Sequence, residues 1–161
     1  MQSKHATGLK FAAGLAAALA TAGFAAGVFA APIAPQDVQI VDHKIEASLN
    51  GTPGNAAEGK KWFKGRKLGN CLACHANADL ASEAFHGEIG PPLDGVAGRY
   101  SEAEMRAILV NSKAVFGNQT IMPGFYQQDP AARIAGTFAG KTILTAEQVE
   151  DVIAYLKTLS E

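Results

Sequence analysis

Apolar positions spaced three and four apart mark three segments of this chain as amphipathic helices, separated by long polar and Gly/Pro-rich stretches. The clearest stripe is Val149, Val152, Ile153 and Leu156, on a helix running from Thr145 to about Leu159. Thr145 with Gln148 three residues on makes a capping box at its start. A second helix reads from Ser101 to about Asn111. Ser101 and Glu104 form its capping box, and Met105, Ile108 and Leu109 share one face. A first helix follows Asn55, a good N-cap, and extends from about Ala56 to Lys67. Glu58 lies in its first turn, and Lys64, Arg66 and Lys67 in its last, as the helix dipole favours. Trp62 and Phe63 on this helix read as packing between the first and last helices.

Residues 31–54 read as an irregular extension, with Pro32, Pro35 and Pro53 spread along it and Gly51 and Gly54 near its end. Val38-Gln39-Ile40-Val41 reads as a short strand or as a stretch lying on the domain. Loops rich in Gly and Pro occupy 88–98 and 117–124. No internal repeat is present. The pattern is all-α with long loops, one domain's worth of chain at 55–161. So few helices bury little apolar surface, so the fold calls for a large group that supplies additional core.

The first thirty residues belong to a different class of segment. Lys4 and Lys10 form a positive start, and an uncharged Ala/Leu/Gly/Phe run follows from Phe11 to Phe29. Val28-Phe29-Ala30 places smaller residues third and first before a cut that leaves Ala31 as the mature N-terminus. The run is long enough to raise an uncleaved anchor as the alternative. Its mild hydrophobicity and the Pro-containing segment directly after it favour an exported, cleaved protein with residues 1–30 as signal peptide, and hence a periplasmic location. Removing the two lysines from a net charge of −1 leaves −3. That balance gives no basic excess for nucleic acid, and no later apolar run is long enough to span a membrane.

Both cysteines of the chain sit in Cys71-Leu72-Ala73-Cys74-His75. A C-x-x-C-H is the attachment signature of c-type haem. The two thiols reach the two vinyl groups of one haem and form thioethers, and the histidine is held against the iron. A redox C-x-x-C belongs beside a β-α-β pattern, which is absent here, and a structural zinc site wants four ligands. The expected cofactor is therefore one covalent haem c with its iron, which also supplies the missing core.

His75 needs a sixth-position partner, and the candidates are Met105, Met122, His43, His86 or none. Met105 lies in the apolar stripe of a helix, where methionine is most often core filler. Met122 lies in the loop Gly117-Asn118-Gln119-Thr120-Ile121-Met122-Pro123-Gly124, downstream enough to return over the haem, which favours it. Methionine with histidine is a standard axial pair that raises the reduction potential and favours electron transfer. His86 and His43 lie in polar stretches and read as solvated. A metal-bound histidine donates its other ring N–H to a fixed acceptor. In Gly90-Pro91-Pro92-Leu93 the prolines stiffen a loop and bring no N–H of their own, so the Pro91 carbonyl is the expected acceptor. Lys60, Lys61, Lys64, Arg66 and Lys67 form a basic run that reads as a solvated helix face, with docking of an acidic partner as the alternative. Phe125-Tyr126 is expected to cover the haem edge or to meet a partner.

Gly59 with Phe63, Cys71–His75, Gly90-Pro91, Met122-Pro123 and Tyr155-Leu156 fall in the order of class I cytochromes c, over about residues 55–160. Three runs narrow the resemblance: 48–55 (Ser-Leu-Asn-Gly-Thr-Pro-Gly-Asn), 87–96 (Gly-Glu-Ile-Gly-Pro-Pro-Leu-Asp-Gly-Val) and 140–152. Together with Met122-Pro123-Gly124-Phe125-Tyr126 they resemble the SoxX family, monohaem subunits of SoxAX cytochromes of sulfur oxidation. The resemblance implies the class I fold, with three main helices and long loops around one haem. It implies Cys71 and Cys74 as attachment sites and His75 and Met122 as axial ligands. It also implies a heterodimer with a SoxA-like cytochrome whose haem has a cysteine ligand. Such a pair, an L-cysteine S-thiosulfotransferase, attaches thiosulfate oxidatively to a cysteine of a SoxYZ-like carrier. The SoxX-type haem is then a non-catalytic electron-transfer site that passes electrons to a small cytochrome c acceptor. A free, diffusible monohaem cytochrome c is the alternative. The extension over 31–47 matches no motif and is expected to wrap a partner.

Overall fold

The computed structural model describes residues 1–2, 31–128 and 135–160; residues 3–30 of the expected 1–30 signal segment, with Lys4 and Lys10, lie outside them. Among the described residues four α-helices run in the order α1 (Ala56–Lys64), α2 (Val96–Arg99), α3 (Glu102–Phe116) and α4 (Ala146–Leu156). There is no strand among the described residues, only a single bridge between Val41 and Lys44. The Val38–Val41 segment does not form a strand. Asp42 and His43 turn the chain with φ of 48° and 62°, and the pairing ends after that one bridge.

The local signals for the helix starts act as expected. Asn55 accepts from the backbone N–H of Ala57 and Glu58, and both capping boxes, Ser101/Glu104 and Thr145/Gln148, close in both directions. The ends differ from the sequence reading. α1 stops at Lys64 because Gly65 takes extended backbone and its N–H closes the last turn onto Trp62. The short α2, which overlaps the end of the expected 88–98 loop, has no periodic stripe to announce it.

α1 packs chiefly on α4, and the close approach depends on Gly59. A Cβ there would lie 1.9 Å from the Asp151 carbonyl oxygen, so any side chain would push the helices apart. Around this crossing Phe63, Leu144, Val149, Val152 and Ile153 are fully buried. Phe63 meets Tyr155 edge-on at 5.4 Å between centroids. Trp62 is half-buried and donates from Nε1 to Asp151.

α3 carries the second departure. At Asn111 the backbone leaves the helical region (φ −150°, ψ 86°), and the helix resumes at Ser112. The Asn111 side chain accepts from the Ala114 N–H, so it acts as an internal N-cap for the second segment. The break leaves the Leu109 and Val110 carbonyls without helical partners, and they accept instead from the N–H groups of Phe125 and Tyr126.

The 31–54 segment lies along α3 and α4. A fully enclosed ion pair fixes it: Arg106 and Glu150 are each 3% exposed and 2.8 Å apart. Arg106 also donates to the Ile45 carbonyl, and Glu150 accepts from the Leu49 N–H. Burial alone would work against the Arg106 charge; the Glu150 carboxylate restores it and holds its pKa above the ordinary value.

Candidate functional site

The Cys71–Ala73 stretch forms one tight 3-10 turn, entered through Asn70 in the left-handed region (φ 49°). The N–H groups of Cys74 and His75 both bond back to the Cys71 carbonyl at 3.0 Å. In such a turn side chains three apart eclipse, so Cys71 and Cys74 share a face and His75 follows directly. The two cysteines are free, and Cys71 is buried. Burial pushes the Cys71 thiol up to about 12, so it is a neutral sulfur in an apolar setting.

The following loop folds back along this turn. The N–H groups of Gly87, Gly90 and Leu93 donate to the carbonyls of Leu72, Cys74 and Ala76. Gly90 crosses the His75 ring so closely that a Cβ would lie 2.3 Å from Cε1. The same fold-back sets His75 Nδ1 2.7 Å from the Pro91 carbonyl oxygen. That oxygen can only accept, so Nδ1 must carry the hydrogen, and in the neutral ring the lone pair is then on Nε2.

These groups line a cavity of about 690 Å³, within the range of roughly 300–1,000 Å³ usual for cofactor sites. Cys71, Cys74, His75, Gly90 and Pro91 come to it from one stretch of chain, Met122, Pro123 and Phe125 from another. Apolar side chains from α2, α3 and α4, among them Val96, Leu109 and Leu156, complete the lining. Met122 is half-buried, and its carbonyl accepts from the hydroxyl of Ser112, a fully buried residue just past the Asn111 break. Met105 also borders the cavity, but it is held within the core face of α3. His43 is exposed on the Asp42–His43 turn, and His86 bonds the Leu80 carbonyl; neither lines the cavity.

Three other features differ from, or were absent from, the sequence reading. Phe125 borders the cavity, but Tyr126 is buried and turned away, donating to the Ile33 carbonyl at 2.7 Å. The basic run is largely answered within the chain: Lys60 pairs with Asp79, Lys61 with Glu58 and Lys64 with Glu83, while Arg66 covers Phe85 at 4.9 Å. Such partners weaken the case for an acidic docking face. Ser112 gave no signal in the sequence, because its role depends on a helix break.

The donor set suits a covalently held haem. Two sulfurs share one turn, an imidazole nitrogen and a thioether border one apolar cavity, and a glycine leaves room for the imidazole. The cytochrome c family model matches residues 56–160. The SoxXA structure from P. pantotrophus holds a chain 43% identical at a TM-score of 0.75, with 81% of this chain and 100% of that one covered. Cytochrome c2 of Rhodoplanes tepidamans is 35% identical over 98 residues, 53% of this chain and 79% of the relative. The cofactor is accordingly haem c, covalently bound, with its iron. The chain belongs to the cytochrome c family, as a class I member of the SoxX type.

Proposed function

We propose that this chain is the electron-transfer subunit of a periplasmic SoxAX-type thiosulfate-oxidising complex. The observation that carries the reading is the match to SoxXA from P. pantotrophus, which spans all of that chain at 43% identity. Cys71 and Cys74 would hold the haem through thioethers, and His75 Nε2 and the Met122 sulfur would ligate its iron. The Pro91 carbonyl fixes the His75 tautomer and ring orientation. Bound haem supplies a one-electron iron couple. A Met122 thioether ligand would raise its potential and close it to small molecules, which favours electron transfer over oxygen or peroxide chemistry.

The sulfur chemistry belongs to the partner in this reading. A carrier cysteine thiol and thiosulfate join through a new sulfur–sulfur bond, releasing one proton and two electrons. Both cysteines of this chain are committed to haem attachment, so no thiol is left to hold a sulfur intermediate. The electrons leave the SoxA-like partner through this subunit for a small cytochrome acceptor. Export follows from the signal segment at 1–30, and no helix among the described residues is long and apolar enough to cross a membrane.

Native purification from the periplasm, with mass spectrometry of whatever co-elutes, tests the assignment. A second c-type cytochrome with a haem-ligating cysteine is the expected result. Elution alone across a range of salt would overturn it in favour of a diffusible carrier, a reading that the similarity to cytochrome c2 supports.

A further inference from the structure

Tyr126 is four residues beyond Met122, and its hydroxyl leaves the cavity side to meet the extension. Three bonds connect that point to the core. Tyr126 Oη donates to the Ile33 carbonyl at 2.7 Å, the Ile33 N–H to the Leu49 carbonyl at 2.7 Å, and the Leu49 N–H to Glu150 at 2.8 Å. Glu150 is locked by Arg106, which also holds the Ile45 carbonyl. The extension is therefore a strap with its base on α3 and α4 and its Ile33 end on Tyr126, just past the Met122 loop.

The loop needs such support. It runs over an exposed Ile121, and it meets α3 through the Ser112 hydroxyl on the Met122 carbonyl, the Lys113 ammonium on the Asn118 and Thr120 carbonyls, and the two backbone bonds at the Asn111 break. We propose that the 31–49 strap, acting through the Tyr126–Ile33 bond, is a positioning element that keeps the Met122 sulfur in place. This rests on Met122 as the sixth ligand. The strap acts on how readily that ligand is displaced and leaves the His75 side alone.

Displacement of the thioether by imidazole, followed through the thioether-to-iron band of the oxidised full-length holoprotein, reads this directly. Titrations are run well below the unfolding transition, where circular dichroism finds each variant folded. Tyr126→Phe removes one hydrogen bond and is expected to tighten apparent imidazole binding about fivefold, the equilibrium weight of one net bond. Ile33→Pro removes the Ile33–Leu49 bond without touching the loop, and is expected to shift the titration in the same direction. Because both cut one line of support, the double variant should shift no further than the larger single change. If Tyr126→Phe does not fold, Ile33→Pro alone still decides. An unshifted Ile33→Pro titration, or additive effects in the double variant, would overturn the strap. A wild-type protein with no thioether band would instead overturn the ligand assignment beneath it.

Discussion

The two stretches that line the cavity are built by different means. The His75 stretch is nearly self-contained: within residues 69–93 one tight turn, three backbone hydrogen bonds and the Pro91 carbonyl fix the ring. The Met122 stretch has little structure of its own beyond the Thr120 N–H on the Gly117 carbonyl and the Lys113 ammonium on the Asn118 and Thr120 carbonyls. It depends on a break in α3, a buried serine, an ion pair between helices and a strap from residues far away in the chain. Of the two proposed ligands, one is thus placed by local chain geometry and the other by tertiary structure. The second should yield first when the fold is perturbed.

Substitutions that act on one stretch at a time test this contrast. The largest effect is expected at the base of the strap. Arg106→Ala leaves the Glu150 carboxylate buried without its partner and should cost about 3–5 kcal/mol. Urea denaturation measures the loss, and the thioether band should weaken at lower urea than helical content falls. Band and helix lost together would mean that the Met122 stretch is no looser than the rest. Gly90→Ala strikes the other stretch. Its methyl would meet the His75 ring and should cost about 1–3 kcal/mol by overpacking. The histidine coordination should distort while the Ser112 and Tyr126 contacts persist, as nuclear magnetic resonance of the two loops would report. Ser112→Ala removes one bond to the Met122 carbonyl. It should cost about 1 kcal/mol, read from urea midpoints, and ease thioether displacement.

The smallest effect is in acid. Hydrogen bonding to Lys157 lowers the pKa of Glu102, and hydrogen bonding to Lys60 lowers that of Asp79, from ordinary values of 4.5 and 3.8. Folding favours their charged forms. Their contribution is therefore complete above the ordinary values and lost as pH falls through the depressed folded ones. The urea midpoint should stay level down to that range and fall below it, and salt should shrink the fall. A midpoint that rises on acidification would contradict the assignment.

The same contrast explains what could be read from the chain. Asn55, Ser101 with Glu104, and Thr145 with Gln148 cap through neighbours in sequence, so the helix starts were legible. The C-x-x-C-H and Gly90-Pro91 pointed to the turn and the carbonyl because both act over short spans. Asn111 looked like a helix end because asparagine is a poor helix former. That it also caps a second segment, and so frees two carbonyls for the Met122 loop, is a tertiary outcome with no periodic trace. The partners of the basic run were hidden in the sequence for a similar reason. Asp79 and Glu83, which answer Lys60 and Lys64, arrive only when the loop after the haem motif folds back. The extension carries no helix period, and its role depends on Arg106, Glu150 and Tyr126, all distant in sequence.

The axial pair on which the account rests is tested most directly by the oxidised spectra of the wild-type holoprotein, Met122→Ala and Met105→Leu. The account predicts a thioether-to-iron band in wild type, its loss with a lowered reduction potential in Met122→Ala, and its retention in Met105→Leu. A band that survives Met122→Ala, or one that disappears with Met105→Leu alone, would contradict it.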